Sequence, residues 1–508
     1  MRNKIVNIVN FIRALEPRRP MDLHTPVLRQ LELAEKYRLP TTWLLQYDAL
    51  LDDYYVDLLK HAPADHEVGI WFEVVQQQTE SCRIPWRGRW AWDWHTDVGF
   101  SVGYTPEERE KLADEFVRLF REKFGFTPRS MGSWFFDAHL LRYLADKYGI
   151  DAACNCKDQW GTDGYTLWGG YYGQAYYPSR ENVFMPAQTP EEQINVPLFR
   201  MLGSDPVYQY DFGMSAESGA SRVQGVITLE PVYFGAGGGA PAWVDWFMKE
   251  NFNGDCLTFG FTQAGQENSF GWPRMQGGIE YQFAQFEKLA AEGKIVVEPV
   301  GETGKWFKKT WDTTPASAIT AHTAFDDNDK NSIWYSTKNY RINLYSDHGD
   351  FRIRDIHVFD EHFKDPFEDK VCLANDAAYE TLPVADGNRH TGNGIIAGVR
   401  VMRNGKPVKA GEMKFTEIRE GEARADYGSF SVLLLEDGFT FTSDGDFELK
   451  YMYGRDDDHM ETVVKSSEKE LVMSFEGRTY GLKLKKGAFV SPSEVRSEKG
   501  AVECVIER

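Results

Sequence analysis

No stretch of about 18 apolar residues occurs in the sequence, so a membrane-spanning helix is not expected. The apolar residues at the N-terminus are broken by Asn3, Asn7 and Asn10, with Arg13 and Glu16 close behind, which leaves no signal-peptide core. Six cysteines are scattered without a CxxC pair. In a chain this long they read as reduced thiols and not as a disulfide framework, and together these absences make a cytoplasmic location the expectation. Basic residues are in deficit: 57 Lys and Arg face 77 Asp and Glu, a formal charge of −20. Nucleic-acid binding needs a basic surface, so neither nucleic acid nor a membrane is expected as a partner. The glycine-rich run 235–239 lacks the strand-to-helix setting of a GxGxxG or P-loop, so no cofactor is expected either. Nothing in the composition specifies an oligomer.

What is present is a chain of 508 residues, 42% hydrophobic and 26% charged, which suits a globular protein of two or three domains. Aromatic content is high at 14%, with 15 Trp, and Trp86, Trp90, Trp92 and Trp94 crowd into one segment. Flat aromatic faces stack on the C–H faces of sugar rings, and concave sites are commonly lined by aromatics with a few polar groups. The alternative is a local cluster that pins a long loop to its domain.

Buried strands are expected at Lys4–Phe11, Thr41–Leu45, Glu67–Phe72, Ser130–Phe135 and Asp151–Asn155, from short runs rich in apolar and β-branched residues. Helical periodicity separates them: Val27, Leu28, Leu31 and Ala34 share one face, as do Leu112, Phe116, Leu119 and Phe120. The latter helix opens with a Thr105-Pro-Glu-Glu108 capping box. Two connections, Glu73–Tyr104 and Lys157–Met201, are far longer than an ordinary βα loop. Candidate strands at Pro206–Tyr210 and Gly225–Leu229 precede a helix at Pro241–Glu250, a last strand at Cys256–Phe261 and a closing helix at Met275–Ala291. Alternating strands and helices imply a parallel sheet with right-handed crossovers. After residue 300 the texture becomes alternating strands with Gly, Asp and Asn turns, expected to form a β-sandwich or two small sheets.

Two stretches carry a family resemblance. Thr25-Pro-Val, Ala34-Glu-Lys-Tyr37 and Pro40-Thr-Thr-Trp-Leu-Leu45, followed by His66-Glu-Val-Gly-Ile70, resemble the opening of polysaccharide deacetylases. Gly132-Ser-Trp-Phe-Phe-Asp137, followed by Leu144 and Gly149-Ile150, resembles the "G-x-W-x-x-E" segment of glycoside hydrolase family 57. Both families belong to one superfamily of barrels. The resemblance implies a distorted seven-stranded parallel (β/α) barrel over residues 1–300 and a β-rich, sandwich-like domain over 301–508. The metal ligands of the deacetylases are missing. The first strand ends Asn10-Phe-Ile-Arg13 where the family has an Asp pair, and no H-x-x-x-H follows the third. A metal is therefore not expected, the local alternative being a rearranged site at Asp93, His95 and Asp97.

Carboxylate chemistry remains. Glycoside hydrolysis needs two carboxyl groups across the scissile bond, and parallel barrels present catalytic groups just beyond the C-terminal ends of their strands. Glu73, Asp137, Glu230 and Glu267 fit that placement. By resemblance Asp137 stands where family 57 has its nucleophile, although its position before a helix equally suits an N-cap. Glu267 lies near the family's acid/base, whose own position falls at Gly265. Glu230 is the reserve acid. Substrate contacts are expected from Arg13, Trp71, Glu73, Trp92, His95, Trp134, Asp211 and Trp272. The expected function is a metal-independent, retaining glycoside hydrolase acting on an oligosaccharide or glycoside. A metal-dependent carbohydrate deacetylase with a rearranged site and a non-catalytic carbohydrate-binding protein are the alternatives.

Overall fold

In the computed structural model, residues 4–221, 223–252, 255–455 and 462–508 are described. The N-terminal half is built on seven parallel strands: β1 (Lys4–Ile12), β2 (Thr41–Leu45), β3 (Glu67–Trp71), β4 (Ser130–Gly132), β5 (Ala152–Asn155), β6 (Leu198–Arg200) and β7 (Gly260–Ala264). They hydrogen-bond in the order β7-β1-β2-β3-β4-β5-β6, with Ala175–Tyr176 added antiparallel to β6 and Val296–Val297 parallel to β1. No ladder joins β6 to β7 among the described residues. The sheet therefore curls into an open barrel, and Phe199 meets Phe261 across the gap at 5.1 Å between ring centres. Five connecting helices are α1 (His24–Tyr37), α2 (Asp53–Lys60), α3 (Pro106–Phe124), α4 (Ala138–Tyr148) and α5 (Pro241–Phe252). Helix α6 (Trp272–Ala291) follows β7, and α7 (Val300–Thr310) comes last.

Strand β1 is buried throughout its described core, which is why it reads as a nearly continuous apolar run. One face, with Val6 and Ile8, packs under α1, α5 and α6. The other, with Ile5, Val9 and Phe11, fills the barrel interior. Helix α7 closes the N-terminal end of the barrel. The Glu67 carboxylate at the start of β3 accepts from the Gly301 N–H (2.9 Å), and Lys308 near the helix C-terminus pairs with Asp151 before β5 (2.6 Å). Both contacts complement the helix dipole. Residues 300–310 thus pack on the barrel. With one end plugged, the only end left for a cleft is the C-terminal one.

Three expected strands are corrected. Pro206–Tyr210 is a turn, because the Asp205 carboxylate accepts from the Val207 and Tyr208 N–H groups (both 2.8 Å) and bends the chain. Gly225–Leu229 is irregular, and the sixth strand is Leu198–Arg200 instead. In the segment Cys256–Phe261, Thr258 takes a left-handed φ of 73° and splits the run. Cys256–Leu257 joins the C-terminal sheet antiparallel to Ala318–Ile319, and the barrel strand begins only at Gly260.

Behind the barrel lie an eleven-stranded and an eight-stranded sheet, antiparallel in their pairings. They pack face to face through rings such as Phe351, Phe430 and Phe441, with Phe351 and Phe430 centred 4.8 Å apart. A small third sheet ties the halves together: Tyr165–Trp168, which hairpins with Gln159–Thr162, pairs in parallel with Ala377–Glu380. No helix among the described residues is long and apolar enough to cross a membrane.

Candidate active site

At the open end of the barrel is a cavity of about 500 Å³. Its walls are the residues just beyond the strands: Arg13 after β1, Glu73 after β3, Trp134 after β4, Lys157 after β5, Leu202 after β6 and Glu267 after β7. Glu230 reaches in from the chain between β6 and α5, and the hairpin at 159–165 forms one side. Beneath the floor, Trp71 stacks on Phe11 (4.0 Å, 9° between planes), and both meet the edge or face of Trp134.

Arg13 organises the acids. Its Nε and Nη2 donate to the two oxygens of Glu73 (3.1 and 2.9 Å), and Nη1 donates to Glu267 Oε2 (2.7 Å). Its guanidinium also lies 4.2 Å from the ring centre of Trp92, whose Nε1 donates to Glu73 Oε2 (3.1 Å). Burial opposes the Arg13 charge, but Glu267 and Glu73 more than restore it, so the guanidinium stays ionised. The backbone of Arg13 is fixed as tightly: Asn268 accepts from its N–H (3.0 Å) and donates to its carbonyl (2.8 Å). Position and charge at the first strand end are thus set by the segment after the last.

Glu267 is only 5% exposed. Burial pushes its carboxyl above the ordinary value and Glu73 adds to this, while Arg13 and the Ser269 hydroxyl (2.5 Å) pull the other way. Glu230 has neutral partners: Thr228 Oγ1 (2.8 Å) and Gln266 Nε2 (3.2 Å) each donate to one oxygen. Gln266 also accepts from the Glu267 N–H (2.9 Å), so a single amide links the two acids. Gly265 explains why no acid stands two residues earlier. Its φ is +104°, and a Cβ there would lie 2.2 Å from the Val9 carbonyl oxygen.

Arg13, Glu73, Trp92, Trp134, Glu230 and Glu267 are brought together here. Five expected residues are not. Asp137 is fully buried away from the cavity, where it caps α4 through the Leu140 N–H (2.9 Å), accepts from Ser101 Oγ (2.5 Å) and pairs with the buried Arg109 (3.0 Å). It is a structural anchor, which corrects its expected role as nucleophile. Trp71 belongs to the barrel core, with none of its surface exposed. Asp211 bridges to the C-terminal sheet through Arg352 (2.5 Å) and Arg354 (3.3 Å). Trp272 opens α6 and packs among its neighbours, and His95 precedes the short helix Thr96–Gly99. Neither lines the cavity. Of the four clustered Trp, Trp92 and Trp94 line it; Trp90 stacks on Trp94 (5.2 Å) and Trp86 ties down the Trp90 carbonyl (2.9 Å). The cavity also holds Arg18, Lys157, Tyr165, Tyr233 and Arg274, which carry no motif; Lys157 was findable only as the second residue past a strand end.

The donor set does not suit a metal. Glu73 and Glu267 both face Arg13, and a divalent ion beside that guanidinium would meet like charge. In the alternative Asp93-x-His95-x-Asp97, Asp93 is committed to Arg89. Burial raises Asp93, but the Arg89 guanidinium, donating through Nε (2.8 Å) and Nη2 (2.7 Å), holds it down at about 2. Among the described residues, the groups able to chelate are Glu181, Glu192 and His362, and Asp327, Asp347 and His348, all outside the cavity.

A solved structure shares this architecture. A protein of Parabacteroides distasonis, described as a candidate glycoside hydrolase/deacetylase, matches with a TM-score of 0.54 at 18% identity, over 75% of this chain and 90% of that one. The two chains share a fold. More distant are a candidate polysaccharide deacetylase of Mycobacterium smegmatis (TM-score 0.37, 12% identity, 61% of this chain and 91% of that one) and a glycoside hydrolase family 57 branching enzyme of Thermococcus kodakaraensis (0.32, 10%, 61% and 72%). Residues 98–336 match DUF3863, a domain of unknown function with a solved structure. No curated protein matches the sequence.

Proposed function

We propose that the protein is a glycoside hydrolase that works with a carboxylate pair and no metal. The observation that supports this reading is the convergence of Glu230 and Glu267 in one aromatic-walled cavity at the C-terminal end of the barrel. Glu267, with its carboxyl pushed up by burial, is the proton donor to the leaving oxygen. Glu230, held by neutral donors and not spent on a cation, is the nucleophile, which makes the reaction retaining. Glu73 has both oxygens engaged by Arg13 and Trp92, and serves to hold Arg13 against Glu267. Trp94 and Trp134, both partly exposed, offer ring faces or edges for sugar stacking. Glu267 titrates above its unfolded value, so hydrolysis requires acidic to neutral pH and is lost as pH rises through the Glu267 pKa.

The test is a panel of aryl glycosides and oligosaccharides, with product anomers read by NMR. Glu230→Gln is expected to lower kcat by about 10²-fold or more while the thermal unfolding midpoint barely moves; Glu267→Gln should lower kcat per folded molecule by as much, and also lower the midpoint because Arg13 loses one of its two buried partners. Turnover unchanged in both variants overturns the assignment, and glycan binding without turnover by the unmodified protein favours a binding protein instead.

A further inference from the structure

Lys157 is 96% shielded, yet its ammonium makes a single long hydrogen bond, to Gln159 Oε1 at 3.4 Å. The adjacent carboxylate cannot neutralise it, because Asp158 is taken by Arg200 (2.7 Å) and by Arg341. A buried cation without a counter-ion is costly and is seldom retained without a use. Its side chain lines the same cavity as the paired acids. Across that cavity Arg274, on the first turn of α6, lies over the Phe270 ring (4.9 Å) and forms no ion pair among the described residues; Arg19 at the rim forms none either. The other two cations are spent, Arg13 on Glu73 and Glu267 and Arg18 on Glu16. Three positive groups without an ion partner among the described residues thus face one cavity, against two carboxylates in the same state, Glu230 and Asp163, which leaves a positive excess in a chain whose net charge is −20. A local excess of that sign inside an acidic protein favours an anionic ligand.

We infer that the cavity takes an acidic saccharide, with Lys157 at the inner end and Arg274 and Arg19 at the rim holding a uronate carboxylate or a sulfate ester. The inference rests on the glycoside-hydrolase reading for the sugar itself, whereas the charge preference rests on the cations alone. An ammonium and guanidinium groups suit either oxyanion, so the two sources are separated by the probes.

Calorimetric titration of the full chain at low salt would compare three matched pairs: tetramers of galacturonate and of mannuronate with their carboxyl-reduced forms, and a chondroitin sulfate tetrasaccharide with its desulfated form. The acidic member of at least one pair is expected to bind about tenfold tighter or more, and the difference should shrink as salt rises. Lys157→Met and Arg274→Gln should each reduce that preference severalfold, with Lys157→Arg restoring part of it. Arg274 is exposed, so its variant stays informative should the Lys157 substitution disturb folding. Equal affinity within all three pairs, or a preference that survives both substitutions, overturns the inference. Reducing-end release is followed in parallel. Acid preference without cleavage leaves the subsite standing and retires the hydrolase; cleavage of neutral and acidic forms at equal rates does the reverse.

Discussion

Replacing Arg13 with Met removes one guanidinium and leaves two buried carboxyls facing one another. Glu73 and Glu267 are 1% and 5% exposed, and Arg13 supplies both with charge-assisted hydrogen bonds of 2.7–3.1 Å. Breaking a buried ion pair by removing one partner costs about 3–5 kcal/mol, and the lost contact with the Trp92 face adds roughly 1 kcal/mol. Protonation sets a ceiling. An orphaned carboxyl can take up a proton, at about 1.4 kcal/mol per pH unit above its unfolded value. The sign follows from Glu267, whose carboxyl burial holds above its unfolded value and which loses the lowering charge of Arg13. The stability it contributes is therefore full in acid and lost as pH rises through its raised value. Urea denaturation of Arg13→Met and of the unmodified protein at pH 5 and pH 8 should show a deficit of about 4 kcal/mol at the higher pH, and one smaller by about 2 kcal/mol or more at the lower. A deficit below about 1 kcal/mol at pH 8, or one that does not change with pH, would refute the Arg13-centred arrangement.

Asp137→Asn should cost about 3–5 kcal/mol by stranding Arg109, while turnover per folded molecule stays near that of the unmodified protein; a loss of kcat at unchanged stability would return Asp137 to the chemistry. Asp365, buried and close to Asp137, is pushed up to about 8, first by burial and then by that neighbouring charge. Its raised value makes its stability contribution full below about pH 4 and lost as pH rises toward 8. Asp365→Asn should therefore flatten the fall in unfolding free energy across that window, by up to about 1.4 kcal/mol per pH unit, and an unchanged slope in the denaturation series counts against it.

The strand ends were the legible part of the site. Glu73 and Glu267 follow short buried runs whose position and direction are fixed by local pattern, and a parallel barrel carries such residues to one rim. Arg13 stands at the end of the first strand, whereas Trp134 was carried by the family 57-like segment Gly132–Asp137. Asp137 was misplaced because the spacing Trp-x-x-acid says nothing about which way the carboxyl turns. That depends on Arg109, a residue of another helix whose own bonds run to the Ser101 and Tyr104 carbonyls. Trp71 failed for a similar reason: one residue separates a strand's last interior side chain from its rim, and Trp71 is the final residue of β3. Arg274 gave no signal and Lys157 only its place past a strand end, since a lone cation looks like solvated surface until its surroundings can be seen in three dimensions. The irregular segment 201–240 escaped because Asp205 and several turns, not periodicity, set its path.

The small sheet that joins the two halves bears on how the chain comes off the ribosome. Its hairpin forms one wall of the cavity, but the strand that holds it, Ala377–Glu380, is made much later; the neighbouring bond from Thr381 to the Gly169 carbonyl spans 212 positions. At translation speeds of about 5–20 residues per second, the hairpin waits on the order of ten seconds or more for that strand. Seven curled strands can assemble in that interval, whereas the wall of the cavity cannot be locked. A nascent chain halted near residue 310 would thus carry a barrel whose mouth is unfinished, and binding competence would arrive with the second half of synthesis.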